Sequence, residues 1–92
     1  MTSEKSPYEN VWNLIRRYEG ITFHTKNGIA FTYHIRGTSI IVDRTNWPLN
    51  NKMLRHAYDL WPVEGPSGFN SVIQRSSYVW AILFKITKEL EA

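Results

Sequence analysis

The strongest constraint on the fold lies between Ile21 and Arg44. Phe23, Ile29, Phe31, Tyr33, Ile35, Ile40 and Val42 alternate there with smaller or polar residues. A period of two belongs to strands with one buried face. Two glycines punctuate the run, and the alternation decides how each turn is built, because a one-residue slip moves a whole strand to the wrong face. A two-residue Asn27-Gly28 turn would set Phe23 opposite Thr32 and break the apolar face. A three-residue loop, Lys26-Asn27-Gly28, instead pairs Thr25 with Ile29, Phe23 with Phe31 and Ile21 with Tyr33, with Gly28 in the left-handed position of a bulge. A tight Gly37-Thr38 turn, glycine first, then pairs Ile35 with Ile40 and Tyr33 with Val42. The expectation is a three-stranded antiparallel meander. Its core face carries Ile21, Phe23, Ile29, Phe31, Tyr33, Ile35, Ile40 and Val42, and its other face carries Thr22, His24, Ala30, Thr32, His34, Arg36, Ser39, Ile41 and Asp43.

Helical spacing flanks this region. Ser6 can cap a first helix, with Pro7 at its first position and Glu9 completing a capping box. Val11, Trp12, Ile15 and Tyr18 form its apolar stripe, Arg16 and Arg17 suit the negative end of its dipole, and Gly20 stops it. A second helix is expected from Asn50 to Trp61, apolar at Met53, Ala57, Leu60 and Trp61 and polar at Lys52, Arg55, His56 and Asp59. Trp47 and Trp61 are expected to pack at its two ends; a protruding Trp47 would instead mark a recognition site. "VEGPSGFNS" reads as a loop. A third helix runs from Ser76 or Ser77 to about Leu90, with Val79, Ile82, Leu83, Ile86 and Leu90 in helical register. The β-branched and aromatic content of "SYVWAILFKI" also allows a strand in its first half.

These elements predict an α+β fold of two layers, α-β-β-β-α-α, with the meander covered on one face by helices. Residues 1–5 are expected to form a disordered tail and residues 6–92 one domain. The order of the first five elements resembles that of double-stranded-RNA-binding domains. That resemblance is one of topology alone: those domains carry a lysine-rich start to the helix after the sheet, and here the stretch reads "LNNKMLRHAYD".

Charge and composition narrow the function classes. The 92 residues include no cysteine, which removes disulfides, thiolate nucleophiles and cysteine-held metals. A cysteine-free chain fits a reducing cytoplasm. No apolar run approaches the roughly 20 residues of a membrane span. The polar start "MTSEKSPYEN" lacks the basic and apolar segments of a signal peptide. The net charge is +3, and it is unevenly spread. Between Gly20 and Tyr58 five basic residues (Lys26, Arg36, Arg44, Lys52, Arg55) face one acid, Asp43, so this segment is +4 and the remainder −1.

Three constellations are candidates for a site. The outer sheet face and its loops offer His24, Lys26, Thr32, His34 and Arg36, residue types that contact phosphates and base edges. The bland alternative is the wet side of a small sheet. The helix face Lys52-Arg55-His56 can lie along an anionic surface or simply be solvated, with Arg55 paired to Asp59. "GPSGFNSVIQRSSY" places Arg75, Ser76 and Ser77 before a helix start, the parts of an anion site, although the serines also serve as caps. No Gly-Lys-Ser/Thr ends that loop, so it is not a P-loop. The histidines lack HxH or HExxH spacing, so no metal or other cofactor is implied. The expected function is a small non-enzymatic binding module for nucleic acid. Its contacts would be Lys26, Arg36, Arg44, Lys52 and Arg55 with His24 and His34, plus an anion site at Arg75, Ser76 and Ser77. The alternative is a protein-interaction or homodimerisation module of a larger bacterial or phage assembly, docking through a sheet edge or the third helix and exposing an aromatic such as Trp47 or Trp80. A third reading is an enzyme acting on a phosphorylated substrate at Arg75-Ser76-Ser77.

Overall fold

A computed structural model of the chain describes residues 6–44, 48–72 and 75–91. The expected tail at 1–5 and the expected packing of Trp47 lie outside the described residues. In chain order the elements are α1 (Tyr8–Arg17), β1 (Phe23–His24), β2 (Ala30–Phe31), β3 (Tyr33–Arg36), β4 (Ser39–Val42), β5 (Pro48–Asn50), α2 (Asn51–Leu60), a 3-10 segment (Pro66–Val72) and α3 (Ser76–Glu91). The fold is α+β, with a three-stranded antiparallel meander packed against helices.

The turns follow the alternation. Phe23 pairs with Phe31, Tyr33 with Val42 and Ile35 with Ile40. The Thr25 N–H donates to the Ile29 carbonyl (2.9 Å) and the Gly28 N–H to the Thr25 carbonyl (2.8 Å), closing the three-residue loop with Gly28 at φ +90°. Gly37 has φ +63° in the tight turn, the left-handed geometry that only glycine adopts without strain.

The membership of the meander differs from expectation. Its strands are β3, β4 and β5, and β1 pairs with β2 alone in a separate ladder. The cause is visible at the end of α1. The Ile21 N–H donates to the Tyr18 carbonyl (3.0 Å), so it is spent on closing the helix, and the Gly20 N–H takes the Tyr33 carbonyl (3.0 Å) in its place. The predicted Ile21–Tyr33 rung is therefore absent. At Thr32 the long strand changes partners: its N–H donates to the Asp43 carboxylate (3.0 Å) and its carbonyl accepts from the Asp43 N–H (3.0 Å). Ile21 and Ile29, expected inside, sit at the two ends of the β1–β2 arm and are 47% and 46% exposed. Leu49 of β5, which none of the expected elements included, is fully buried opposite Ile40.

The helices form where their stripes place them, with one change of cap. Pro7 is the N-cap of α1, and no side chain caps it; the Ser6 carbonyl instead accepts from the Tyr58 hydroxyl (2.6 Å). Asn50 caps α2, its Oδ1 accepting from the Met53 N–H (2.8 Å). α3 is helical throughout, so the strand alternative fails. It buries Val79, Trp80, Ala81, Ile82, Leu83, Ile86 and Thr87, nearly all round. Phe84, Lys88 and Glu89 stay exposed along one side, while the remainder of α3 packs on α1, α2, β1 and the 3-10 segment. "VEGPSGFNS" contributes to the core as well, since Phe69 is fully buried against the Trp61 ring.

Tyr33 ties the meander to α1. Its buried hydroxyl donates to the Ile15 carbonyl (2.7 Å). That carbonyl lies in the last turn of α1, and the Glu19 N–H turns to Arg16 (3.4 Å) rather than to it. Burial first, then the Glu19 charge, raises the Tyr33 phenol above its usual value. A phenol with a raised folded pKa holds its proton while the unfolded chain has lost it. Its contribution is complete below the unfolded value of about 10 and is lost as pH climbs toward the folded value. Stability should therefore fall above about pH 10, with this group adding a slope of about 1.4 kcal/mol per pH unit. Tyr33→Phe should cost about 1–3 kcal/mol at pH 7 by orphaning the Ile15 carbonyl, and should flatten part of the alkaline slope. Urea melts between pH 7 and 11 measure both; an unchanged slope in the variant would remove Tyr33 as its source.

Candidate functional site

The outer face of the meander presents two rows. One is His34–Ile41–Pro48 and the other Arg36–Ser39–Asn50. His34 and Arg36 are exposed there, and Lys52 follows just inside α2. Lys52, Arg55, His56 and Asp59 form the exposed helix face the spacing predicts.

The five basic residues of the central segment do not gather on one surface. The Arg44 Nε donates to the Ala30 carbonyl (2.8 Å), tying the end of β4 to β2. The Arg55 guanidinium lies over the Tyr8 ring (6.0 Å), beside α1. Arg36 and Lys52 stay near the sheet end of α2. Arg75 has a positive φ of 55° and directly precedes α3, and its carbonyl accepts from the Tyr78 and Val79 N–H groups (3.0 and 3.1 Å). Ser76 and Ser77 are the first helical residues, beyond the position from which a side chain caps.

Lys26 goes elsewhere. Its Nζ reaches across from the hairpin to donate to the Glu64 carbonyl (2.9 Å) and lies 5.9 Å from the Trp80 ring centroid. Gly65 leaves the room for this: a Cβ there would sit 2.8 Å from the Lys26 Nζ. Trp80 is itself buried, in contrast to its expected exposure, and its indole N–H donates to the Val63 carbonyl (3.2 Å). One helical turn on, Phe84 stacks on Trp80 (4.7 Å, 16°) and is 40% exposed. One further turn on, the Lys88 Nζ lies 4.8 Å over the Phe84 ring. Positions 80, 84 and 88 form one ridge of α3. The line Lys26, Trp80, Phe84, Lys88 therefore places a cation at each end of two stacked rings.

Beside this ridge is an open groove of about 290 Å³, walled by His24 and Phe23 of β1 and by Phe84, Lys85 and Lys88 of α3. The Lys85 Nζ lies 5.7 Å from the Phe23 ring. Glu89 is the acid of the groove, and its carboxylate stands beside the Tyr18 hydroxyl. Thus His24, one of the residues expected to bind, joins Lys85 and Lys88 in the groove, and Lys26, another, lies at the Trp80 end of the ridge; Lys85 and Lys88 fall outside the basic central segment. The signal for them was "WAILFKITK", an aromatic pair and a lysine at i, i+4 and i+8.

A larger groove, about 550 Å³, lies between α1 and the edge of β3, lined by Asn13, Arg16, Arg17, Glu19 and Ile35. It sits at the C-terminal end of α1, where the dipole disfavours anions. The Glu19 carboxylate is fixed there as acceptor of the Ile35 N–H (2.8 Å). With the Gly20 contact to Tyr33, this occupies the outer edge of β3. The opposite edge, β5, is three residues long and begins with Pro48. Both edges of the meander are thereby poor templates for another strand.

Among the described residues no group of three or more His, Cys, Asp and Glu is placed to hold a metal ion, and no helix is long and apolar enough to cross a membrane. Comparison of the chain with protein-family models, with curated proteins and with solved structures gave no match.

Proposed function

We propose that this chain is a small non-enzymatic nucleic-acid-binding module, acting in the cytoplasm, with its contact face on α3 and the β1–β2 hairpin. The observation that carries the reading is the grouping of Lys85 and Lys88 with His24 beside the exposed Phe84, with Lys26 at the Trp80 end of the same ring stack. Lysines supply the phosphate contacts from which sequence-independent affinity comes. An aromatic beside them adds what a purely solvated charged face lacks. Arg36 and Lys52 provide a second basic strip for a longer ligand. The test is titration with mixed-sequence single-stranded DNA, duplex DNA and RNA at two salt concentrations. Each phosphate contact should add about 0.7–0.9 to the log–log salt slope. No binding at low salt would sink the proposal.

One observation favours a protein partner instead: Phe84 is a large apolar side chain exposed on α3. A second copy docking there would make a dimer insensitive to salt. Sedimentation separates the two readings, because a salt-insensitive dimer without affinity for oligonucleotides supports self-association.

A further inference from the structure

We infer that the face prefers single-stranded nucleic acid, with a base stacked at Phe84 and the flanking phosphates held by Lys88 and Lys26. The inference rests on the nucleic-acid reading of the same face and goes further, because phosphate contacts alone do not distinguish a strand from a duplex. The geometry that distinguishes them is the ring stack. Trp80 backs Phe84 at 4.7 Å and nearly parallel, so the Phe84 ring is held in a fixed plane. The Lys88 ammonium lies over the same ring at 4.8 Å, and Phe84 is 40% exposed. A lysine on a four-carbon stem turns aside readily, and a base arriving over the ring can displace that ammonium toward its own phosphate. Trp80 and Lys88 are eight residues apart, about 12 Å along the helix. The cations therefore bracket a footprint of a few nucleotides. In a duplex the faces of the bases are stacked on one another and cannot reach Phe84. In a strand every base has a free face, so the contact tolerates any sequence.

The test compares 12-nucleotide single strands of DNA and RNA, the matching duplexes, and inorganic polyphosphate of equal charge, for the native chain, Phe84→Leu and Phe84→Trp. Leucine keeps the packing on Trp80 but offers no ring, and equal thermal melts establish that the fold is retained. Expected for the native chain are tighter binding to either single strand than to duplex or polyphosphate. Phe84→Leu should weaken single-strand binding about 5- to 150-fold with an unchanged salt slope, and Phe84→Trp should bind like the native chain. Equal affinity for strand, duplex and polyphosphate, with Phe84→Leu silent, overturns the inference and leaves the electrostatic reading of the face standing. Absence of salt-dependent binding to all of these probes removes both.

Discussion

Replacing Lys26, Lys85 and Lys88 together with glutamine should lower the salt slope of single-strand binding by about two units, three contacts at about 0.7 each. Slopes that meet near 1 M salt then differ by about a hundredfold in affinity at 0.1 M. The effect belongs to the placing of the three ammonium groups along the Trp80–Phe84 ridge and its groove, so the same substitution at Lys52, Arg44 and Arg55 should cost much less. Those three stand apart, with Arg44 bound to the Ala30 carbonyl and Arg55 over Tyr8. Lys26 also steadies the loop at Glu64. Its replacement should remove about 1 kcal/mol of stability, the worth of one exposed hydrogen bond and a weak cation–π contact. Fluorescence anisotropy at four salt concentrations measures the slopes. Equal losses in the two triple variants would show that the lysines on α3 and the hairpin are not the contact face.

Phe31→Ala should cost about 3–5 kcal/mol. Phe31 is buried, stacked on Phe23 (5.8 Å, 28°) and edge-on to Tyr78 (4.9 Å, 82°). It joins the short β1–β2 ladder to α3, so its removal leaves a cavity among three elements. Total stability for a domain of this size is about 5–14 kcal/mol. The variant should thus lose a large share of it, seen as a lower urea midpoint with an unchanged m-value. Phe84→Ala should cost less, about 1–2 kcal/mol, because 40% of that residue is already exposed. A reversed ranking would mean that Phe84 belongs to the core and is no contact residue.

Much of the fold was legible in the residues. Both glycine turns and the pairing of Phe23, Tyr33 and Ile35 followed from alternation alone, because only one register keeps apolar side chains together. Three features were not legible. Ile21 alternates correctly, yet its N–H is spent on closing α1, a competition between helix end and ladder that period cannot resolve. Leu49 lies in a three-residue strand opened by Pro48, too short to show a period. The "SYVWAILFKI" run left helix and strand open because α3 is buried from Val79 to Leu83 without interruption, so its first half shows no polar stripe. The candidate site failed to appear for a related reason. Net charge along the chain sums neighbours in sequence, whereas the packing of the hairpin on α3 is what sets His24 beside Lys85 and Lys88 and Lys26 over Trp80. Whether Phe84 faces solvent depends on what covers the other sides of that helix.

The central place of α3 also governs how the chain acquires its structure during synthesis. α3 packs on both α1 and β1, so its buried residues between Val79 and Ile86 complete the core that Val11, Ile15, Phe23 and Phe31 share. A nascent chain that has released only its first seventy or so residues can form hairpin turns and a fraying α1, but it has nothing on which to close them. Its apolar surfaces lack the helix that covers them until α3 has emerged, so the domain is expected to close as a unit only then. Through that interval the polar outer face of the hairpins, with His34, Arg36 and Asp43, is what keeps the unfinished chain from pairing with its neighbours.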